Sequence, residues 1–200
     1  MNCSRKYLLF ICLYMIAPVE VWVVEFIDVE MIIYENLNGV LTNSAELPWH
    51  LSNLRSYVNL SPYMKETEIN GITYKGMGFG SVYVGIPGDE TPPSRFIRIS
   101  FLREFSNPVE TEEEGVMLTR HLLNTVDIPA GVSKREESST EAFESTQWVM
   151  IKDDKKLKLY FRIYDCASLF VVDLNEVDFY YGTKHESIDV DKPFSAIDVL

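Results

Sequence analysis

Three short runs of β-branched and aromatic residues, separated by turns of a few residues, constrain the fold more than any other feature of the sequence. Residues 19–27 have the sequence VEVWVVEFI, residues 31–34 MIIY and residues 40–42 VLT. Runs of this composition predict strands, and residues 28–30 and 36–39 predict tight turns. Because parallel strands need a long crossover connection, strands joined this closely are expected to pair antiparallel.

Helical patterns follow these strands, and strand patterns return after them. We predict a helix from Pro48 to Val58, a second that begins at Pro92 with Thr91 as its cap, and a third over residues 111–126. Residues 61–74 are polar and predict irregular structure. Further strands are predicted at 143–151, 157–164 and 168–174. This order, without an internal repeat or a linker, indicates one α+β domain with antiparallel sheets and helices packed on their faces.

Charge and cysteine content argue against several classes of function. The net charge is -12, and a chain without a basic face is not expected to bind nucleic acid or an anionic membrane surface. Cys3, Cys12 and Cys166 are odd in number and far apart, which disfavours a disulfide framework or a zinc site. We therefore expect a reducing, cytoplasmic location and no metal.

The N-terminal segment leaves an alternative open. Arg5 and Lys6 precede the apolar run YLLFICLYMIA at residues 7–17. This pattern is similar to the core of a signal peptide and is too short to span a membrane. Pro18 follows directly, however, and the end of the run lacks the small residues of a good cleavage site. Residues 5–17 are therefore either a buried strand or helix of a cytoplasmic protein, or the signal of an exported one.

Two polar residues stand out as candidates for chemistry. Asn43 ends a predicted buried strand, where its side-chain amide can project toward a cleft, and Arg95 lies early in a helix behind a glycine-rich loop. Each also has a structural interpretation, Asn43 as a turn or cap residue and Arg95 as the partner of an acidic group. The loop glycines lack the spacing of a dinucleotide fingerprint. The isolated histidines are expected to be surface or packing residues: His50, His121 and His185. Two tryptophans are expected to be core residues: Trp49 and Trp148.

Several longer stretches resemble the choloylglycine hydrolase and penicillin V acylase family. Residues 23–62 are VVEFIDVEMIIYENLNGVLTNSAELPWHLSNLRSYVNLSP, and residues 85–98 are GIPGDETPPSRFIR. The stretches NTVDIPAGV (124–132) and STQWVMIKDDKKLKLYFRIYD (145–165) continue the match in the same order. Several long motifs in one order are more specific than one short motif. The resemblance covers nearly the whole chain and corresponds to the C-terminal part of the family.

The resemblance implies a fold and a chemistry. Members of this family have the αββα sandwich of N-terminal-nucleophile hydrolases. They cleave linear amide bonds of small molecules, such as conjugated bile acids, penicillin V or acyl-homoserine lactones, without a metal or cofactor. Their nucleophile is a cysteine exposed as the first residue. By its match to the family motifs, Asn43 would lend its amide N–H to the oxyanion, and Arg95 would lie beside the nucleophilic sulfur.

The N-terminus departs from the family pattern. The chain opens Met1-Asn2-Cys3, and the residues after Cys3 do not match. We expect residues 1–18 to be an unmatched segment and residues 19–200 to be the C-terminal part of a hydrolase domain. The expectation is a truncated and inactive form whose nucleophile is unknown, since Cys3 does not fit that role. The alternative is a non-catalytic protein, either a relic that binds acyl or sterol ligands or a regulatory protein. Either form is expected to make homo-oligomers or to pair with a missing N-terminal half.

Overall fold

The computed structural model describes residues 11–13, 21–135, 142–182 and 187. The chain divides into two compact units, Met1–Val109 with Asn124–Val126, and Glu110–Leu123 with Asp127–Leu200. Cys3, His185 and the N-terminal apolar run, apart from residues 11–13, lie outside the described residues. The alternatives for that run therefore stay predictions.

Antiparallel strands open the first unit, as the short turns predict. Strand β1 (Ile11–Leu13) pairs with β4 (Val40–Thr42), and β2 (Trp22–Ile27) pairs with β3 (Glu30–Glu35). The turn between β2 and β3 is two residues long, and both residues have positive φ angles, which suits the twist of a tight hairpin. Strand β4 begins and ends at the predicted residues, Val40 and Thr42.

The turn before β4 is fixed by polar contacts to a helix. Asn36 is buried, and its Oδ1 accepts a hydrogen bond from the N–H of Gly39 at 3.0 Å. Asn38 donates from Nδ2 to Ser100 Oγ at 2.8 Å, and its carbonyl accepts from Arg103 Nη1 at 2.5 Å. One end of β4 is thereby tied to the helix that carries Ser100 and Arg103.

Two α-helices belong to this unit, α1 (Leu47–Asn53) and α2 (Pro92–Phe105). Glu25 on β2 accepts hydrogen bonds from the N–H of Leu47 at 3.1 and 3.3 Å, so a carboxylate from a strand satisfies the first turn of α1. Helix α2 supplies much of the core of the unit, because its Phe96, Ile97 and Ile99 are at most 1% exposed.

Three predictions for this unit are wrong in detail. The helix predicted to reach Val58 ends at Asn53, where a short 3-10 turn follows. The buried residues of this helix are Leu47 and His50. Trp49, predicted to be core, lies between them and is 46% exposed. The stretch predicted to be irregular contains a hairpin of β5 (Glu66–Ile69) and β6 (Ile72–Lys75).

The second unit is built on a three-stranded antiparallel sheet, in which β10 (Lys158–Ile163) lies between β9 (Trp148–Asp153) and β11 (Cys166–Asp173). Its predicted strand at residues 143–151 is divided in two, and Trp148, predicted to be core, is 50% exposed because Ile151 occupies the inward face. Arg162 is buried and donates to Asp127 Oδ2 at 2.7 Å. The remaining described α-helix of the chain is α3 (Glu112–Asn124), and the remaining described strands are β7 (Ser133–Arg135) and β8 (Ala142–Glu144). Short 3-10 turns of the chain lie at Leu54–Tyr57, Ser81–Tyr83 and Leu174–Glu176.

The described elements confirm the predicted α+β class. All strand pairs among the described residues are antiparallel, in two-stranded sheets and one three-stranded sheet, and three described α-helices accompany them. Within the described part of the chain, no helix has the length and apolar character needed to cross a bilayer.

Candidate active site

Asn43 and Arg95 lie in direct contact in the first unit. Asn43 follows β4 immediately and is exposed, whereas Arg95 is the fourth residue of α2 and is 1% exposed. Arg95 donates a hydrogen bond from Nη2 to Asn43 Oδ1 at 2.7 Å. The structure therefore joins two residues that the sequence analysis selected separately.

This contact fixes the orientation of the Asn43 amide. A guanidinium can only donate hydrogen bonds, so the amide atom that faces Arg95 must be the oxygen. The hydroxyl of Thr42 also donates to this oxygen, at 3.4 Å. The side-chain amide nitrogen consequently lies on the other side of the group, at an exposed position. An N–H donor held in this way is what an oxyanion needs.

The start of α2, on which Arg95 depends, is organised by Asp89. Its Oδ1 accepts from the N–H of Thr91 at 3.0 Å and from the Thr91 hydroxyl at 2.5 Å, and its Oδ2 accepts from Ser94 Oγ at 2.6 Å. These hydrogen bonds, that from Ser94 above all, lower the pKa of Asp89 to about 2. Ser94 precedes Arg95, so the carboxylate fixes the turn of helix that carries the guanidinium.

A second buried arginine binds the loop that leads into α2. Arg98 donates from Nη1 to the carbonyl of Pro87 at 3.0 Å and to that of Asp89 at 3.3 Å, and its Nη2 lies 3.6 Å from Glu90 Oε2. The hallmark stretch at residues 85–98 is therefore a loop folded back on its own helix.

His50 also lies beside this pair. It is 0% exposed and its ring stacks on Phe96, the neighbour of Arg95, with centroids 4.6 Å apart. It is a packing histidine, as the sequence analysis expected for it. Its proximity to Asn43 and Arg95 was not predicted, and the only available signal was its position three residues after Leu47, on the same side of a helix.

The nucleophile is not identified among the described residues. In the unit that holds Asn43 and Arg95, no described side chain is a thiol. Cys12 lies in β1, where its backbone pairs with Leu41, and Cys166 is a buried free cysteine of the second unit. Within the described side chains, no group of three or more His, Cys, Asp or Glu is arranged to hold a metal ion.

Comparison with known proteins identifies the family. A profile described as linear amide C-N hydrolases, choloylglycine hydrolase family, matches residues 14–192. The chain belongs to the choloylglycine hydrolase family. This confirms the predicted family and places both hallmark stretches, with Asn43 and Arg95, inside the matched region.

Curated relatives and solved structures agree with this assignment. A bile salt hydrolase/transferase of Clostridium perfringens is 31% identical over 157 residues, which are 77% of this chain and 46% of the relative. A bile salt hydrolase/transferase of Lactiplantibacillus plantarum is 31% identical over 156 residues, or 76% of this chain and 47% of the relative. The chain thus spans about half the length of the curated relatives it matches.

The fold prediction is confirmed by two solved structures. A crystal structure of a variant conjugated bile acid hydrolase from Clostridium perfringens has a TM-score of 0.76 at 29% identity and covers 89% of this chain and 53% of its own. Penicillin V acylase from Agrobacterium tumefaciens has a TM-score of 0.60 at 21% identity, covering 81% and 44%. At that lower identity the likeness concerns the fold alone.

Proposed function

We propose that this chain carries the oxyanion donor and the active-site guanidinium of a hydrolase for linear amide bonds. The observation that supports this most is the 2.7 Å hydrogen bond from Arg95 to Asn43 Oδ1, since it turns the amide N–H of Asn43 outward. An attacked amide carbonyl develops negative charge on its oxygen. A fixed N–H donor at that oxygen commonly contributes about a hundred- to a thousandfold in rate.

Arg95 has the second role in this proposal. Its guanidinium remains charged at any working pH, and a cation beside a thiol favours the thiolate, which is the active nucleophile. Its burial at 1% exposure keeps that charge away from water, where its effect on a neighbouring thiol would be screened. The attacking thiolate adds to the amide carbon, and the tetrahedral oxyanion collapses to a thioester as the amine takes up the proton that the thiol gave up and departs. Water then cleaves the thioester, which releases the carboxylic acid and restores the thiol.

The proposed substrates are conjugated bile acids, which are small-molecule amides. Support comes from the bile salt hydrolases among the relatives, at 31% identity. Penicillin V is a weaker candidate, because the acylase resembles this chain at 21% identity. The buried free thiol of Cys166 suits a reducing compartment, and we propose a cytoplasmic location.

The 200-residue polypeptide by itself is proposed to be inactive. Cys3 does not fit the family pattern, and Cys12 and Cys166 match no catalytic position of the family. A second polypeptide that carries an N-terminal cysteine would complete the site. The second candidate function, which the lack of a matched nucleophile favours, is a non-catalytic protein that binds acyl or sterol ligands.

Co-expression separates these functions. The chain is produced alone and with the part of the Clostridium perfringens relative that lies outside the match, and both samples are assayed with a glycine-conjugated bile acid. We expect turnover only in the combined sample, and its loss in Asn43→Asp, which keeps a partner for Arg95 but removes the N–H donor. Asn59→Asp, a change at another exposed asparagine, is the matched control.

Three other outcomes would change the proposal. Turnover by the chain alone that Cys3→Ala abolishes would show that Cys3 is the nucleophile and that the chain is active. Binding of the bile salt by calorimetry, without turnover in either sample, would favour the non-catalytic candidate. The absence of both binding and turnover would overturn both candidate functions.

A further inference from the structure

We infer that His50 is a positioning residue that holds Asn43 and Arg95 in contact. The inference rests on the proposed function for the importance of that contact, but not for its geometry. His50 lies in α1, between the two chain segments that carry the pair. Its role is carried by a hydrogen bond to one segment and a ring contact to the other.

The hydrogen bond reaches the residue after Asn43. His50 Nε2 lies 2.7 Å from the carbonyl oxygen of Ser44. A carbonyl can only accept, so Nε2 carries the proton and donates. This bond fixes the peptide that joins Ser44 to Ala45, one residue beyond Asn43, where the chain has just left β4. Without it, the amide side chain of Asn43 would be free to swing with its backbone.

The ring contact reaches the residue after Arg95. The imidazole stacks on the Phe96 ring at a centroid distance of 4.6 Å and an interplanar angle of 22°, and both side chains are 0% exposed. A single ring therefore contacts the immediate neighbours of both members of the pair. Displacement of the ring would shift Ser44 or Phe96, and hence the 2.7 Å distance between Arg95 and Asn43.

The protonation state of His50 decides whether its ring can hold the pair. Nδ1 is buried and makes no hydrogen bond to any described residue. Burial lowers the pKa of His50, against the opposing effect of the Ser44 and Ala45 backbone and of the Glu46 charge. The neutral ring with its proton on Nε2 is therefore the form that holds the pair, since a second proton on Nδ1 would be buried without an acceptor.

Two substitutions separate the hydrogen bond from packing. His50→Gln keeps an N–H that can donate to Ser44 but loses the stacked ring, and His50→Phe keeps a ring against Phe96 but loses the donor. The readout is the side-chain amide signal of Asn43 in ¹⁵N-labelled full-length chain, assigned by its disappearance in Asn43→Asp. We expect both substitutions to shift this signal toward that of a free asparagine amide, because each removes one of the two contacts. The larger shift is expected in His50→Phe, which loses the bond to the segment that carries Asn43.

A matched control and a measurement on the unaltered chain complete the test. His121→Phe makes the same change at an exposed histidine and is expected to leave the Asn43 signal in place. In wild-type chain, acidification should shift the Asn43 signal together with the ring signals of His50, at a pH below the ordinary histidine pKa of about 6.5. Other charged groups on the contacting segments are Glu46 before α1, Glu25 on β2 and Arg95 on α2. The titration is repeated in Glu25→Gln because burial raises the pKa of Glu25.

The outcomes are distinguishable from those of the proposed function. If the Asn43 signal is unchanged in His50→Phe and does not follow the His50 titration, the positioning role is wrong, whatever ligand binds. If His50→Phe does not fold, the wild-type titration decides alone. If the signal behaves as expected but the chain neither binds nor hydrolyses a conjugated bile salt, the positioning role holds and the proposed function fails.

Discussion

At the scale of single residues, the orientation of one amide is the main gain from the structure. The sequence marks Asn43 as a polar residue at a strand end, and the family motif gives it a role. Neither source shows that Asn43 Oδ1 is bound by a buried guanidinium, because residues this far apart in the chain have no spacing rule that relates them. The same limit applies to His50, whose isolated position in the sequence says nothing about its contact with Phe96.

Arg95 is expected to resist even a conservative change. Arg95→Lys keeps the charge but replaces a planar group with several donors by a single ammonium, which is not expected to keep the 2.7 Å contact to Asn43. A lost hydrogen bond to a charged group costs about 1.5–3 kcal/mol, so the free energy of unfolding in urea should fall by this order. Arg55→Lys, at an exposed arginine, should change it by less than about 0.5 kcal/mol. Equal effects of the two substitutions would contradict the role given to Arg95.

Asp89 is expected to make stability depend on acid pH. Its pKa is about 2 in the folded chain because Ser94 and Thr91 donate to it, and about 3.9 in an unfolded chain. A depressed pKa means that the unfolded state binds the proton first, so this contribution is complete above about pH 4 and is lost as the pH falls toward 2. The urea midpoint should therefore change less between pH 5 and pH 2 in Asp89→Asn than in the wild-type chain. Asp165→Asn, at another exposed aspartate, is the control and should keep the wild-type pH dependence.

At the scale of elements, local patterns predict strands and helices that have a buried side. Local patterns found β4, whose Val40 and Thr42 are buried, and α2, whose Phe96 and Ile97 are buried. The β5–β6 hairpin was missed because all eight of its residues are exposed, so no hydrophobic pattern marks it. The Asn70-Gly71 turn, with positive φ at both residues, was the signal that could have found it.

Two glycines give a matched test of how β4 is held. Gly39 and Gly71 have φ angles of +66° and +77°, so alanine is strained at both. A Cβ at Gly39 would also come within 2.8 Å of Arg103 Nη1, whereas nothing lies within 4 Å at Gly71. We expect Gly39→Ala to lower the free energy of unfolding by about 1 kcal/mol or more beyond Gly71→Ala, measured in urea. Similar losses would show that Arg103 moves aside freely and does not fix this turn.

At the scale of the whole molecule, the resemblance predicted more than the patterns did. The order of several long motifs gave the family and the fold, both of which the comparisons confirm over residues 14–192. Hydrophobic periodicity gave only the α+β class. It could not show the contact between Asn43 and Arg95, which depends on tertiary packing and not on either local pattern.

The β2–β3 hairpin predicts self-association. One of its faces carries Trp22, Val24, Phe26, Met31 and Ile33, each 51–74% exposed. An exposed apolar face of this kind favours contact with another apolar surface. We expect a concentration-dependent increase in mass by sedimentation velocity, reduced in Phe26→Glu and unaffected in Phe79→Glu, where a fully exposed phenylalanine lies in a loop. A wild-type chain that remains monomeric at all concentrations would contradict this expectation.

The hydrogen bond between Arg95 and Asn43 also links the chemistry of this unit to its folding. The two residues are 52 positions apart in the chain, and bringing the ends of so long a loop together has an entropic cost that the rest of the fold must offset. The pair therefore exists only while the intervening segments are folded. A sample in which every side chain is chemically intact but this unit has opened contains no such pair. Under the proposed function, the fraction competent to bind ligand would then measure the fraction folded.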